Sequence, residues 1–397
     1  MNYESTSHIS SWIFTASQLI ELRTRANNRV RSLLFKDSER KKEQQKQEEQ
    51  QPNSTSTIND SSSQLPVSFA KGYNRKKLDD QAMDIDEGNN VVKETEELPF
   101  ITQEEETTLV NFYATKLFDL IGPNAQHPPL RRDVKVASTA ALLLRRFYLS
   151  NSVMIYDPKV FMVACAFLAT KIEDATVNIK YLEEGTKLMK AHVTIPDIIN
   201  SEIYLAAGCD YDLLCLHPYR AVESYTEDLR SFLRSKEGQP CVNREWVGSA
   251  DLLPLYEGAK RIAEEMVVTD APLLATPGKI GLASLHLANK RLIEEQNYKE
   301  DANKSSNTVE HEEKQKDVIK IDLKGYLKMR FGTSHKEKDI DTIWNEIDQV
   351  CTLIREPERS SQIDMVSLKG IYKKLKKCKG GNEKKKKKKK RKRVDDE

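Results

Sequence analysis

The sequence predicts an all-α fold, and three observations lead to that prediction. Between residues 98 and 355, apolar residues recur at spacings of three and four, as on the buried face of a helix, and no segment alternates like a strand. Capping-box pairs at Thr15–Gln18 and Thr102–Glu105 mark two helix starts. Only 15 of the 397 residues are glycine, which disfavours all-β turns and glycine-rich phosphate loops.

The helical pattern falls into two series along the chain. The predicted helices of the first series follow one that begins after Thr102 and lie at 133–150, 158–172, 178–190 and 195–209. Those of the second series lie at 217–234, 251–269, 277–292, 318–330 and 337–355, interrupted by a polar insertion at 296–317. Segment 158–172 is apolar on nearly every side, as expected of a central helix.

An internal repeat indicates that the two series are copies of one helical bundle. A shift of the chain by 119 residues aligns Pro158 with Pro277 and Lys171 with Lys290. Apolar and small residues between these positions recur in the same register. Each copy therefore has a buried helix that begins after a proline and ends in lysine.

Polar segments surround the two bundles. Residues 36–97 contain few large apolar side chains, and most of them are expected to form a disordered linker, although the good helix formers at 41–51 could extend the N-terminal helix into solvent. The predicted organisation is an N-terminal amphipathic helix in 1–35, the linker at 36–97, a first domain at 98–212, a second domain at 213–355, a C-terminal helix at 356–379 and a basic tail at 380–397.

The composition excludes several classes of protein. The longest apolar run, residues 160–169, is far shorter than the about 20 residues of a membrane helix. The N-terminus lacks the basic start and apolar block of a secretory signal, and six scattered cysteines indicate reduced intracellular thiols. No nucleotide-binding, hydrolase or kinase motif occurs, so we expect no catalytic residue and no cofactor.

Four motifs occur along the two bundles: RRFYLSNSVM at 145–154, ACAFLATKIED at 164–174, HPYR at 217–220 and TDAPLLATP at 269–277. In this order they resemble motifs of the cyclin family, of the cyclin H type. Trp12, Phe14 and the spacing of Leu22 and Ala26 are also similar to the N-terminal helix of that type. The resemblance covers about residues 10–35 and 98–378.

The resemblance implies two tandem five-helix cyclin boxes with flanking N- and C-terminal helices. It also implies a non-catalytic nuclear subunit that activates a cyclin-dependent kinase by packing on a helix of the kinase's small lobe. Such a kinase acts on other cyclin-dependent kinases and, as part of TFIIH, on the C-terminal tail of RNA polymerase II. The implied partners are the kinase, a RING-finger assembly factor and the TFIIH core, with no membrane contact.

Five residues are predicted to bind the kinase. By position, Lys171 and Glu202 match the lysine and glutamate with which cyclins hold the kinase helix, and Ile172, Glu173 and Tyr211 match weaker contact positions. A lysine that ends an apolar helix also complements the helix dipole. The alternatives are that Lys171 and Glu202 are ordinary surface charges and that Tyr211 belongs to the core.

The basic tail contains ten consecutive cations at 384–393, and without them the formal net charge of +2 becomes −8. Lys389, Lys390, Arg391, Lys392 and Arg393 resemble a nuclear localisation signal. Weak nucleic-acid contact and a simply solvated end are the alternative interpretations.

Three further alternatives are weighed. Cys209, Cys215 and His217 fit no standard zinc spacing and lack a fourth ligand, so no metal site is predicted. Within the family, a cyclin C- or cyclin K/T-like subunit of another transcriptional kinase is the rival. From another class, a DNA-binding cyclin-fold initiation factor is disfavoured, since no zinc ribbon precedes the core and the body is acidic.

Overall fold

The computed structural model describes residues 5–50, 100–305, 319–332, 337–355 and 365–379. Within these ranges the secondary structure is fourteen α-helices, two 3-10 turns and one isolated bridge between Val242 and Ile321. The predicted all-α class is confirmed. The chain divides into two compact units. Of the described residues, the first unit contains 5–50, 100–214 and 365–379, and the second contains 215–305, 319–332 and 337–355.

Seven described helices of the first unit precede the second unit in the chain. They are α1 (Ser7–Trp12), α2 (Ala16–Gln50), α3 (Gln103–Ile121), α4 (Val134–Ser150), α5 (Pro158–Ile172), α6 (Ile179–Leu188) and α7 (Ile195–Gly208). Those of the second are α8 (Tyr219–Leu233), α9 (Ser249–Val267), α10 (Ala271–Leu274), α11 (Pro277–Ser305), α12 (Leu323–Phe331) and α13 (Glu337–Arg355). The last helix, α14 (Met365–Lys379), belongs to the first unit.

Helices α4 and α5 form the centre of the first unit. Every residue of α4 from Val136 to Leu149 is buried, and α5 packs against α3, α4 and α7. Phe147 of α4 stacks on Phe161 of α5 with ring centroids 4.3 Å apart. Asp157 accepts a hydrogen bond from the Lys159 backbone N–H and so caps the start of α5. These contacts fix the start of α5 and its packing on α4.

The N-terminal helices dock on the first bundle. The Trp12 indole lies under the Arg146 guanidinium, 4.5 Å from ring centroid to Cζ, and donates to the Asp212 carboxylate at 2.9 Å. Burial, and then the charge of Arg146, lowers the pKa of His8 to about 4, so the neutral ring accepts a hydrogen bond from Arg146. On α2, Arg29 donates to the Ser150 carbonyl at 2.8 Å.

Helix α2 extends beyond residue 35, as the helix formers at 41–51 allowed, and α11 extends further than expected. Helix α2 runs to Gln50 rather than to residue 35, so residues 36–50 of the predicted linker are helical, and 51–97 lie outside the described residues. Helix α11 runs to Ser305 and includes the first part of the predicted insertion, whose residues 306–317 also lie outside them. Both extensions consist mainly of Glu, Lys, Gln and other polar residues that a helix accommodates without a buried face.

The start of the predicted helix at 318–330 is wrong. Ile319 and Ile321 are buried in extended backbone, and Ile321 forms the bridge with Val242. Helix α12 begins at Leu323, where the Asp322 carboxylate accepts from the Gly325 N–H at 2.9 Å. The alternating apolar residues before Asp322 belong to a non-local pairing that helical periodicity does not represent.

Helix α14 packs on α3. Leu368, Ile371 and Leu375 are buried, and the Tyr372 hydroxyl is hydrogen-bonded to that of Tyr113. The Lys374 ammonium donates to Glu105 at 2.6 Å. The chain therefore returns to its first unit after completing the second.

Among the described residues, no helix is both long enough and apolar enough to cross a membrane.

Candidate functional site

The structure brings Lys171 and Glu202 together on the surface of the first unit. Lys171 lies in the last turn of α5, and its ammonium donates to both carboxylate oxygens of Glu202 on α7, at 2.6 and 2.9 Å. The ammonium also lies 4.0 Å from the centroid of the Phe167 ring. The two charged side chains are 44% and 21% exposed. The pair is thus preformed yet accessible.

The end of α5 is shaped to present this lysine. The Glu173 N–H bonds to the Ala169 carbonyl, and Asp174 takes a left-handed conformation with φ of 50°. The Ala175 N–H then returns to the Thr170 carbonyl at 2.8 Å. A left-handed residue of this kind ends a helix abruptly. Lys171 consequently stands beside the last backbone carbonyls, at the negative end of the helix dipole.

Glu173 is engaged by its own chain. Its side chain is only 8% exposed, its Oε1 accepts from the Thr139 hydroxyl at 2.6 Å, and its Oε2 pairs with Lys135. Both partners lie on α4. This carboxylate therefore ties the end of α5 to the start of α4, and its predicted role as a contact residue remains a prediction.

Tyr211 is exposed, so the alternative that it belongs to the core is wrong. It is 68% accessible and has a φ of 57°, and its N–H bonds to the Ala206 carbonyl at 2.9 Å. The next residue, Asp212, accepts hydrogen bonds from Ser7 and Trp12 of α1. The docked N-terminal helix thus fixes the backbone that carries Tyr211. Ile172, the other predicted contact residue, is half-buried.

Sequence reasoning missed two residues of this surface. Ile199 and Ile203 flank Glu202 on α7 and are about half exposed, whereas Ile198 and Leu205 of the same helix are fully buried. A helix that packs on one side needs a single apolar stripe. The excess of isoleucine in residues 195–203 is the signal that could have indicated an additional apolar face.

The remaining candidates from the sequence are the nuclear localisation signal and the metal site that was not predicted. The predicted nuclear localisation signal at 389–393 lies outside the described residues. Within the part of the chain that the structure describes, no group of three or more His, Cys, Asp or Glu side chains is arranged to hold a metal ion.

Comparison with known sequences gives consistent results. Residues 217–379 match the model of the cyclin C-terminal domain. Cyclin-H1-1 of Arabidopsis thaliana is 25% identical over 380 residues, which are 96% of this chain and 89% of that protein. Cyclin CCL1 of Saccharomyces cerevisiae is 30% identical over 54% of this chain and 49% of its own. A putative cyclin-H of Dictyostelium discoideum is 27% identical over 57% and 74% respectively.

Solved structures share the fold. The CAK complex of Chaetomium thermophilum bound to ATP-gamma-S contains a chain that superposes with a TM-score of 0.59 at 21% identity, covering 95% of this chain and 88% of that one. A chain of the yeast TFIIK (Kin28/Ccl1/Tfb3) complex gives 0.51 at 21% identity, covering 89% and 100%. These likenesses concern the fold. Residues 217–379 contain a cyclin C-terminal domain, and the sequence relatives named above are cyclins, of the H type in Arabidopsis thaliana and Dictyostelium discoideum.

Proposed function

We propose that this chain is the regulatory subunit that binds and activates a cyclin-dependent kinase through the surface around Lys171 and Glu202. The kinase would act on other cyclin-dependent kinases and on the C-terminal tail of RNA polymerase II as part of TFIIH. The observation that carries the proposal is the preformed pair, in which one ammonium is held by both oxygens of one carboxylate at the end of a buried helix.

The chemistry of the pair suits hydrogen bonds to backbone carbonyl groups of a partner. A lysine ammonium has three donor hydrogens, and a carboxylate has several acceptor positions. The carboxylate restrains the ammonium and so lowers the entropy lost when the ammonium binds a partner's carbonyl groups. A helix of the kinase's small lobe ends in such carbonyls, and its position controls the lysine–glutamate pair of the kinase active site.

Apolar area around the pair would supply most of the affinity. Ile199, Ile203 and Tyr211 are exposed in the first unit and add an aliphatic and aromatic surface. Interfaces generally combine such anchors with a few desolvated polar pairs. Ile172 is proposed to border this surface. Glu173 is proposed to contribute at its edge, where its backbone ends α5.

The wider setting is proposed from the relatives. Cyclin-family relatives are regulatory subunits, and we infer that this chain is also non-catalytic. The yeast complex is named for three proteins, which supports a kinase and a further subunit as partners. We propose that this further subunit is an assembly factor of the RING-finger kind and that the TFIIH core is an additional partner. Nuclear import by residues 389–393 and weak nucleic-acid contact by the tail complete the proposal.

The test is to purify the tagged chain from its own cells and assay the bound kinase on two substrates, a polymerase-tail peptide and an unphosphorylated cyclin-dependent kinase. Activity on both substrates is expected. Activity on the tail peptide alone would indicate a cyclin C- or K/T-like subunit instead. Failure to recover a kinase would contradict the proposal.

A pair of variants tests the site itself. Lys171→Ala should reduce the recovered kinase and its activity, because it removes the ammonium and leaves Glu202 without its partner. The matched control is Lys116→Ala, which breaks another exposed ion pair, with Asp119 at 2.7 Å on α3. Equal effects of the two substitutions would show that the site is placed wrongly.

A further inference from the structure

The charged residues of α14 are all cationic. Over its fifteen residues the helix contains six lysines and no acidic residue. Four of them, which we call the α14 lysine row, are exposed and lie on the side away from α3: Lys369, Lys373, Lys376 and Lys377. Nothing in the kinase-binding proposal uses them.

The apolar side of the same helix is already occupied. Leu368, Ile371 and Leu375 are buried against the first unit, and Lys374 is paired with Glu105. An isolated basic amphipathic helix is typical of a segment that lies on a membrane, where its apolar side enters the lipid. In this docked position those three apolar residues are not available to a membrane. Apart from Met365 and Val366 at the start of the helix, the large exposed side chains of α14 are lysines, and these are its available binding groups.

The chemistry of the lysine row selects its ligand. Lysine supplies compact point charges without the planar fork that reads bases or carboxylates. The one aromatic residue of the helix, Tyr372, is turned toward Tyr113 and does not lie in the row to stack on unpaired bases. Single-stranded nucleic acid generally requires such stacking platforms. A regular array of phosphates requires only cations at intervals along a rigid support.

We propose that the α14 lysine row binds the phosphate backbone of duplex DNA without sequence preference. The row spans nine residues, or about 12 Å of helix axis between its first and last Cα atoms, a length over which a duplex presents about seven phosphate charges. The helix is anchored on α3, so the lysines are held in fixed order. The ten cations at 384–393 follow shortly after the helix and extend the same charge.

The proposal does not depend on kinase binding, since none of the four lysines belongs to the surface around Lys171. The proposal gives α14 a role in DNA binding that is independent of the basic tail. Two sets of substitutions therefore separate the contribution of the lysine row from that of the tail. One replaces the cations at 384–393 by glutamine, and the other adds Lys369→Gln, Lys373→Gln, Lys376→Gln and Lys377→Gln.

The experiment measures binding of the full-length chain to a short fluorescein-labelled duplex by anisotropy, at several salt concentrations. With the tail neutralised, four phosphate contacts should give a slope of log K against log salt of about −3.6. Raising salt from about 50 to about 200 mM should then weaken binding on the order of 100-fold. Replacing the lysine row as well should remove most of that affinity and flatten the slope.

The control introduces glutamine at three exposed lysines of α6 and its end, Lys180, Lys187 and Lys190, where Glu183 and Glu184 interrupt the positive charge. This control should bind the duplex like its parent. A three-site version of the test variant, which removes the same number of lysines from α14, should bind more weakly than the parent. Equal losses in the two would overturn the proposal, as would tighter binding to an acidic peptide or to anionic vesicles than to DNA. Kinase activation should be unchanged in all variants.

Discussion

The Lys171–Glu202 pair contributes little to folding stability, and the role proposed for it is binding of the kinase. Both side chains are partly exposed, and exposed ion pairs contribute only about 0–1 kcal/mol to folding. Covering the pair with a partner removes it from water. Its two charges then depend on one another and on the groups that the partner provides.

The first prediction compares the effect of losing the pair on folding stability with its effect on kinase binding. Lys171→Met should change the free energy of unfolding by less than about 1 kcal/mol, yet weaken kinase binding by about 2–5 kcal/mol, because it leaves a desolvated carboxylate without its cation. Thermal unfolding and a binding titration measure the two quantities. Glu202→Gln should have a similar effect, and the double variant should lose less than the sum. Additive losses would show that the two side chains act independently.

Glu106 is a buried carboxyl at the junction of three elements. It lies on α3 and accepts a hydrogen bond from the Ser152 hydroxyl, close to Asn27 of α2. Arg23, Arg145 and Tyr148 line the same small cavity. Burial raises the pKa of Glu106 to about 7, against the lowering effect of the hydrogen bonds from Ser152 and Asn27. The folded chain therefore binds this proton more tightly than the unfolded chain does.

The second prediction follows from the direction of that shift. The stability gained from protonated Glu106 is complete below the unfolded pKa of 4.5 and is lost as pH rises to about 7, a change of about 3 kcal/mol. Glu106→Gln should remove this loss and be more stable than the parent at pH 8. Urea unfolding, followed by Trp12 fluorescence after Trp246→Phe and Trp344→Phe, measures it. Glu104→Gln, at an exposed neighbour, should keep the parent's pH dependence; a parent curve that is flat from pH 5 to pH 8 would contradict the prediction.

At the scale of elements, helix α7 approaches α4 closely because Gly208 has no side chain. A Cβ at this position would lie 2.4 Å from Cδ2 of Phe147. That ring cannot move easily, since it stacks on Phe161 and meets the edges of Tyr148 and Tyr156. The spacing of the two helices therefore depends on this glycine.

The third prediction compares two glycines. Gly208→Ala should lower the free energy of unfolding by about 2 kcal/mol, as overpacking of a rigid core does. Gly370→Ala is the control, because a Cβ there meets no atom within 4 Å. It should raise stability by up to about 1 kcal/mol, the helix-propensity gain of alanine over glycine. Calorimetric unfolding distinguishes the two, and equal shifts would exclude the steric explanation.

The elements with local signals were predictable from the sequence. Helix α5 has the expected limits, because Asp157 and Pro158 define its start and Lys171 lies in its last turn. The exact end of α2 and the start of α12 could not be predicted from the sequence, for different reasons. Polar helix formers continue α2 without a packing signal, whereas the residues before α12 pair with Val242, about 80 positions earlier in the chain.

At the scale of the whole molecule, the sequence order of the helices does not give their grouping. A C-terminal helix was expected from periodicity, but its attachment to α3 depends on the pairs Tyr113–Tyr372 and Glu105–Lys374, whose members are 259 and 269 residues apart in the chain. The resemblance indicated Lys171 and Glu202, because a family preserves paired positions. It could not indicate Ile199 and Ile203, whose exposure is decided by which side of α7 the first bundle covers.

The last prediction tests this return of the chain to its first unit. Leu368→Ala with Leu375→Ala should weaken the contact of α14 with α3, since each substitution removes a buried side chain and costs about 2–5 kcal/mol where the site cannot collapse. Amide hydrogens of α3 should then exchange faster with solvent, while those of α8 and α9 in the second unit keep their rates. The control is Met365→Ala with Val366→Ala, two exposed positions at the start of the same helix. If this control accelerated exchange in α3 equally, the buried face of α14 would not be what holds the helix. If exchange rose in α8 and α9 as strongly as in α3, α14 would stabilise the chain as one cooperative body rather than completing the first unit.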